Sequence, residues 1–197
     1  MRAPAAAIVG EGNAGDRAVA VACAEAGARV ALGTVAKTRE QEYALHSIAN
    51  EVWNIGPEQL VCVLDAGDAA DVAAFAAQVW DRFGGCDLLV CNQDVASNAP
   101  LDELSADEWE AALRSNLTAS FLAAQAFGRL MERDGGGRIL LLRGEERAGD
   151  AAYRAAKAGL VELAAAITEA WGVRGVSVAV VPREGLATRA VAALGAR

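Results

Sequence analysis

Short apolar segments alternate with longer helical patterns six times along this chain. The apolar segments have the length and composition of buried strands, and helical spacing of apolar positions follows each of them. The predicted strands are residues 5–9, 28–34, 60–64, 87–91, 138–142 and 176–181. The predicted helices are residues 16–27, 38–55, 69–83, 101–133 with a start at Ser105, 151–171 and 186–194. This alternation predicts an α/β fold, a Rossmann-like three-layer sandwich around a doubly wound, mainly parallel sheet of about six strands.

The chain carries no sign of a division into two domains. Its 197 residues are 54% hydrophobic and include only four prolines, and no linker or low-complexity tract interrupts the alternation. That length suits one well-buried core and is short for two. We therefore expect a single domain over residues 1–197.

Charge and hydropathy exclude several classes of partner. The formal net charge of −8 argues against nucleic acid and anionic membranes, because both favour a basic surface. No apolar run approaches the ~20 residues of a membrane span, and the N-terminal residues lack a signal-peptide pattern. We expect a cytoplasmic protein with no membrane partner.

The four cysteines are predicted to be reduced core thiols. They show no C-x-x-C pairing, and most lie in apolar strand-like or helical runs. This pattern favours neither a zinc site nor disulfides, so we predict no metal site. They are Cys23, Cys62, Cys86 and Cys91.

A glycine turn connects the first predicted strand to the first helix. Gly10, Gly12 and Gly15 have the spacing G-x-G-x-x-G, and Asn13 lies between them. Glycines let the backbone approach a pyrophosphate closely, and the N-terminus of the following helix favours an anion. The position of the motif between a strand and a helix strengthens this interpretation, so we predict that the turn binds a dinucleotide.

Two carboxylates support the alternative that the glycines only make a tight connection. Glu11 and Asp16 lie at or near the helix N-terminus, where they would satisfy the helix dipole themselves and repel a pyrophosphate. Asp16 is also a suitable N-cap residue, which gives its presence a purely structural explanation.

The end of the second strand indicates which dinucleotide would bind. An acid there would favour NAD by binding the ribose 2′-hydroxyl, whereas a nearby cation accommodates the phosphate of NADP. The strand ends in Thr34 without an acid, and Lys37 and Arg39 follow. We expect NADP rather than NAD, although solvated loop charges would explain both cations as well.

Tyr153 and Lys157 form a candidate acid–base pair. They lie four residues apart on the predicted helix that follows the fifth strand, so both side chains project from one face. An ammonium group beside a tyrosine lowers the pKa of the phenol by stabilising the phenolate. The pair is therefore able to exchange a proton with a carbonyl or an alcohol.

At this point the sequence resembles the short-chain dehydrogenase/reductase family, from about residue 5 to residue 182. The resemblance rests on the glycine turn, on Asp65 after the third strand and on four longer segments. These segments are DLLVCN at residues 87–92, SADEWEAALRSNLTASF at 105–121, GRILLL at 137–142 and AAYRAAKAGL at 151–160.

The resemblance implies reversible hydride transfer between a nicotinamide and a carbonyl or alcohol carbon. It implies that Tyr153 donates the proton, that Lys157 holds the nicotinamide ribose and that Asn116 anchors a proton-relay water. The chain would then be one NAD(P)-binding Rossmann domain acting on a small carbonyl or alcohol substrate. The implied cofactor-binding residues are Gly10, Gly12, Asn13, Gly15, Thr34, Lys37, Asp65, Asn92, Lys157, Pro182 and Thr188.

Several positions depart from the family pattern. Asp16 stands near a family glycine, and residues 91–94 read Cys-Asn-Gln-Asp in place of Asn-Asn-Ala-Gly. The catalytic serine expected after the fifth strand is absent from RILLLRGEERAGDAAY, and Arg143 lies near its position. The prolyl-glycine after the sixth strand is Pro182-Arg183. We therefore expect impaired catalysis, with a non-catalytic relative that binds a nucleotide or a protein partner as the alternative.

The resemblance also implies a homodimer. The helices that carry Asn116 and Tyr153 are apolar around much of their circumference, and family members pair these helices. Relatives continue beyond the sixth strand, so we expect a substrate pocket that is open or completed by a partner subunit.

Overall fold

In the computed structural model, which describes residues 2–56, 58–96, 98–144 and 150–195, six parallel strands form one sheet. Their order across the sheet is β3-β2-β1-β4-β5-β6. This arrangement confirms the predicted α/β fold with a doubly wound parallel sheet. The strands are β1 (Ala5–Gly10), β2 (Arg29–Thr34), β3 (Gln59–Cys62), β4 (Leu88–Cys91), β5 (Gly137–Leu142) and β6 (Val176–Val181).

Seven α-helices are present in the same described residues. Several of their bounds match the periodicity of the sequence to the residue, notably those of α3 and α6. The helices are α1 (Ala14–Glu25), α2 (Arg39–Ile55), α3 (Ala69–Phe83), α4 (Ala106–Leu113), α5 (Ala119–Arg133), α6 (Ala151–Trp171) and α7 (Leu186–Gly195).

The helices cover both faces of the sheet and make three layers. On one face, Phe75 of α3, Phe127 of α5 and Leu160 of α6 lie in one buried cluster. On the other face, Cys23 of α1 and Ile48 of α2 lie in a second cluster, which also contains residues of α7. Every residue of β1 is buried, and alternate side chains enter the two clusters, as expected for a strand covered on both faces.

The long helix predicted for residues 101–133 is interrupted. Ser105 is the N-cap of α4 and forms the predicted capping box with Glu108. A π-helical turn, Arg114–Thr118, then separates α4 from α5, and Asn116 lies within it. Such a turn is rare inside helices and is frequent at functional sites.

Two smaller predictions differ from the structure. The first helix begins at Ala14 and its N-cap is Asn13, so the prediction that Asp16 caps it was wrong. Asp16 is instead the third residue of that helix, where its side chain accepts from the N-cap backbone. Strand β3 ends at Cys62 rather than Leu64, because the Leu64 backbone hydrogen-bonds the Thr34 side chain instead of extending the ladder.

The strand order positions the candidate site. The sheet grows from β1 toward β3 on one side and from β1 through β4 toward β6 on the other. The connections therefore leave β1 and β4 in opposite directions and open a crevice beyond their carboxyl ends. The glycine turn follows β1, and Asn92, Gln93 and Asp94 follow β4.

Candidate functional site

The glycine turn is closed by side chains of its own helix. The backbone N–H groups of Gly12 and Asn13 donate to Asp16 Oδ2 at 2.8 and 3.0 Å. The N–H groups of Gly15 and Asp16 donate to Asn13 Oδ1 at 2.8 and 3.1 Å. The N–H groups of Asn13, Gly15 and Asp16 are among the donors that the start of this helix offers to an anion, and these three already have acceptors within the turn.

The Asp16 carboxylate takes the space over the first glycine. Asp16 is 1% exposed, and a Cβ atom at Gly10 would overlap its carboxylate. Asn92 Nδ2 donates to Asp16 Oδ1 at 2.6 Å, which joins the end of β4 to the turn. Burial raises the pKa of Asp16, while the hydrogen bonds from Asn92 and from the turn oppose that rise.

The predicted acid–base pair lies on one face of α6. Tyr153 is 1% exposed and Lys157 is 5% exposed, and Lys157 Nζ lies 5.5 Å from the centroid of the Tyr153 ring. Lys157 Nζ also donates to the backbone oxygens of Gln93 and, at 3.2 Å, Leu142. The structure thus brings together the two residues whose spacing predicted a shared face.

Asp94 occupies the centre of the site. Its Oδ1 accepts a hydrogen bond of 2.5 Å from the Tyr153 hydroxyl and lies 3.3 Å from Lys157 Nζ. Its Oδ2 pairs with the Arg183 guanidinium. In the sequence, Asp94 was notable only because it departs from the family pattern. In the structure, its carboxylate contacts the Tyr153 hydroxyl, the Lys157 ammonium and the Arg183 guanidinium.

Arg183 is a site residue that sequence reasoning did not identify. It follows β6, and its Nη1 lies 3.6 Å from the position that a Cβ atom at Gly15 would take. Its side chain is 37% exposed, so the guanidinium lies at the mouth of the crevice against the glycine turn. The only sequence signal was the replacement of the family glycine after Pro182.

Burial and neighbouring charges shift the pKa values of two further groups, Lys157 and Glu11. Burial lowers the pKa of Lys157 to about 8, although the Glu11 carboxylate opposes this shift. Burial also raises the pKa of Glu11, as does the nearby Asp16, whereas Lys157 and Arg183 lower it. Acidic and basic groups are thus interleaved in the crevice.

Asn116 is fully buried in the π-helical turn. Its Nδ2 donates to the backbone oxygens of Val95 and Ala112 at 2.9 and 3.0 Å. Its Oδ1 has no hydrogen-bond partner among the described residues, and the same holds for Asn92 Oδ1 and Gln93 Nε2. Buried orphan atoms of this kind usually contact water or ligand, which makes Asn116 suited to holding a relay water.

The residues predicted near the adenosine have structural partners. Thr34 is buried, and its hydroxyl donates to Leu64 O at 2.6 Å and accepts from Leu64 N at 2.8 Å. Lys37 is paired with Asp71 at 2.6 Å. Their contact with a cofactor stays a prediction.

Three other predicted cofactor residues lie on the surface or near it. Asp65 is paired with Arg114 at 2.7 Å and accepts from Gly67 N. Pro182 and Thr188 are exposed, Pro182 directly after β6 and Thr188 on α7. Their roles also stay predictions.

Gly144, rather than Arg143, lies against the Tyr153 hydroxyl. Gly144 has φ of +76°, and a Cβ atom there would overlap that hydroxyl and lie 2.9 Å from Asp94 Oδ1. Arg143 instead lines a cavity of about 470 Å³ together with Tyr153 and Lys157. The rest of the segment without serine, residues 145–149, lies outside the described residues.

A larger cavity, of about 800 Å³, lies at the other end of the sheet, where Asp87, Arg138 and Val176 are among its lining residues. It is remote from Tyr153 and contains no acid–base pair of this kind. The smaller cavity beside Tyr153 is the candidate substrate pocket.

A family model described as short chain dehydrogenase matches residues 4–197. The chain belongs to the short-chain dehydrogenase family. It is therefore a member of an oxidoreductase family whose proteins bind NAD(P). None of the helices in the described part of this short-chain dehydrogenase has the length and apolarity needed to cross a membrane.

Individual relatives agree with this assignment. The chain is similar to a D-threitol dehydrogenase of Mycolicibacterium smegmatis, with 39% identity over 58% of this chain and 45% of that protein. It is similar to a 3-oxoacyl-[acyl-carrier-protein] reductase of Synechocystis, with 26% identity over 90% of this chain and 72% of that one. The chain thus spans less than half of the length of the first relative.

A solved structure shows the same fold. The crystal structure of a putative short-chain dehydrogenase/reductase from Burkholderia xenovorans superposes with a TM-score of 0.83 and 26% identity. The match covers 92% of this chain and 71% of that one.

The residues fit a dinucleotide in part. Lys157 and Arg183 supply positive charge beside the turn, and Tyr153 lines the cavity next to them. The turn amides do not fit a pyrophosphate in this arrangement, because Asn13 and Asp16 occupy them.

Proposed function

We propose that this short-chain dehydrogenase transfers hydride between NADP(H) and a small carbonyl or alcohol substrate, with reduced catalytic power. The observation that carries the proposal is the buried Tyr153–Lys157 pair beside a cavity of about 470 Å³. The relatives named above act on alcohols or oxoacyl groups, which supports this substrate class.

The cofactor, when bound, supplies the hydride chemistry. Tyr153 exchanges the proton with the substrate oxygen, and the Lys157 charge favours the phenolate that forms. Asn116, with an unpartnered buried oxygen, holds the water that returns the proton. Lys157 also binds the nicotinamide ribose, and Asn92 contributes to the adenosine side of the site.

Reduced activity follows from the residue opposite the tyrosine. Gly144 offers no hydroxyl to the substrate oxygen, which loses a hydrogen-bond donor worth ~10²–10³ in rate. The 2.5 Å hydrogen bond from Tyr153 to Asp94 adds to the cost, because substrate must replace it.

The preference for NADP rests on charge. No acid ends β2, and Lys37 and Arg39 follow it. The pairing of Lys37 with Asp71 leaves a smaller excess of positive charge there, so the expected preference over NAD is modest.

A second candidate function is a scaffold that binds no dinucleotide. The buried Asp16, which holds two turn amides, favours it. The two candidates differ in whether any dinucleotide binds at all.

We also propose a homodimer that forms through the helices around Asn116 and Tyr153. Phe121 of α5 and Val161 of α6 are 41% and 49% exposed, so each of these two helices carries an apolar side chain at the surface that a second copy of the chain would cover. A monomer in light scattering at working concentration would overturn this part of the proposal. A cytoplasmic location is consistent with four cysteines that are buried free thiols.

Calorimetric titration with NADPH and, separately, NADH tests the proposal. We expect NADPH to bind in the micromolar range, more tightly than NADH, and binding would justify a screen of small carbonyl compounds. Failure of both cofactors to bind, at all pH values between 6 and 8, would leave the scaffold function.

A further inference from the structure

Charged side chains at the centre and at the mouth of the crevice pair with one another. Arg183 pairs with Asp94 Oδ2, while Asp94 Oδ1 lies 3.3 Å from Lys157 Nζ and 2.5 Å from the Tyr153 hydroxyl. The Asp94 side chain is only 11% exposed. One carboxylate therefore satisfies both cations that an anionic ligand would need.

Arg183 lies beside a turn in which several N–H donors already have acceptors. Its Nη1 approaches Gly15, and the N–H groups of Gly12, Asn13 and Gly15 all donate to side chains of the turn. An arginine guanidinium presents several N–H groups in a planar fork that matches two phosphate oxygens. The Arg183 side chain is 37% exposed, so its guanidinium also reaches solvent.

We propose that Arg183 is the phosphate-binding residue of this site and that Asp94 is a built-in competing anion that must release it before a dinucleotide binds. The inference rests on the proposed function for the identity of the ligand. The phosphate chemistry itself is shared by a dinucleotide and by free pyrophosphate.

The competition has a definite direction. A pyrophosphate that approaches Arg183 must displace the Asp94 carboxylate and then meets its negative charge at short range. Removing that charge with Asp94→Asn relieves both effects, so we expect affinity to rise roughly tenfold or more. Removing the guanidinium with Arg183→Gln lowers affinity by a similar factor.

The experiment is calorimetric titration of the full chain with NADPH and with inorganic pyrophosphate. The proteins are the unmodified chain, Asp94→Asn, Arg183→Gln, Arg183→Lys and the double variant Asp94→Asn/Arg183→Gln. Asp81→Asn on α3 and Arg129→Gln on α5 change the net charge equally at exposed positions and serve as controls. Thermal melting establishes that each variant is folded.

We expect Asp94→Asn to bind both ligands more tightly, Arg183→Gln to bind them more weakly and Arg183→Lys to lie between Arg183→Gln and the unmodified chain. In the double variant, most of the gain from Asp94→Asn should disappear. Neither control should change affinity by more than about twofold. If Asp94→Asn does not fold, the ranking of the two Arg183 variants decides the matter.

Failure of the inference is distinguishable from failure of the proposed function. If NADPH binds equally to all variants, the role of Arg183 and Asp94 is refuted while the cofactor stands. If NADPH binds to none of the variants, the proposed function is refuted, and the pyrophosphate titrations decide the inference. Pyrophosphate binding to Asp94→Asn that is lost in the double variant Asp94→Asn/Arg183→Gln supports the inference. Absence of pyrophosphate binding as well refutes both.

Discussion

The crevice has two walls, one formed by α6 and one by the start of α1, and they differ in how their polar groups are used. On the α6 wall, Tyr153 and Lys157 are buried, and Lys157 Nζ lies 5.5 Å from the centroid of the Tyr153 ring, which suits the proposed acid–base pair. On the α1 wall, Asp16 and Asn13 occupy the amides that would hold a phosphate. The proposed proton transfer and the expected anion binding therefore depend on separate parts of this fold, since the α6 wall keeps its polar groups available while the α1 wall uses several of its own to cap a helix.

The α6 wall is tested most sharply by Tyr153→Phe. Removing the hydroxyl takes away the proton donor, so we expect carbonyl reduction to fall by ~10²–10⁴. The measurement is NADPH oxidation at saturating substrate. Tyr43→Phe, at the other tyrosine of the chain, is the matched control because Tyr43 is 72% exposed. Equal turnover in the two variants would show that α6 does not carry the chemistry.

The α1 wall is tested by Asp16→Ala. The substitution leaves the N–H groups of Gly12 and Asn13 and the Asn92 amide without their acceptor, so we expect the free energy of unfolding to fall by ~1–3 kcal/mol. Urea denaturation measures this change. Glu108→Ala removes the corresponding carboxylate of the exposed capping box on α4 and should cost less, ~0.5–1 kcal/mol. A larger loss at Glu108 would contradict the view that Asp16 is a structural group of the turn.

The contact between Gly144 and the Tyr153 hydroxyl is tested by Gly144→Ala. A left-handed backbone disfavours any side chain by ~1 kcal/mol, and the contact with the Tyr153 hydroxyl adds to this cost. Gly27→Ala is the control, because Gly27 has φ of +81° with nothing near its Cβ position. Gly144→Ala should therefore be the more destabilising of the two in thermal unfolding, and it should also slow turnover. Equal melting temperatures would show that the Tyr153 contact is easily relieved.

The smallest expected effect is a pH dependence of NADPH affinity. With a pKa of about 8, Lys157 is charged below that pH and neutral above it, so affinity should fall several-fold as the pH rises from 7 to 9. The Glu11 carboxylate opposes the lowering of the Lys157 pKa, and Asp94 Oδ1 lies 3.3 Å from the ammonium. Calorimetry across the range measures the change, with Lys157→Arg as the comparison because arginine stays charged. An unchanged slope in Lys157→Arg would assign the titration to another group.

The sequence predicted the sheet and the α6 wall well because both depend on local periodicity. Apolar runs marked the six strands, and the four-residue spacing of Tyr153 and Lys157 placed them on one helical face. The Ser105 capping box was also predicted, since its signal lies within four consecutive residues.

The α1 wall was harder to predict because its contacts depend on tertiary geometry. The sequence indicated Asp16 as the cap of the helix, whereas the backbone geometry makes Asn13 the N-cap. The ion pair between Asp94 and Arg183 joins the segments that follow β4 and β6, and neither segment contains a sequence pattern that predicts contact with the other. The π-helical turn at Asn116 likewise has no distinctive residue pattern.

The capping box of α1 has a consequence for how the protein persists without its cofactor. A helix start that relies on a bound phosphate gains folding free energy that rises with the logarithm of the ligand concentration. Here the chain supplies that anion covalently, through Asp16. The start of α1 should therefore stay formed when dinucleotide is scarce, and NADPH that binds would add to a stability that the unliganded chain already has.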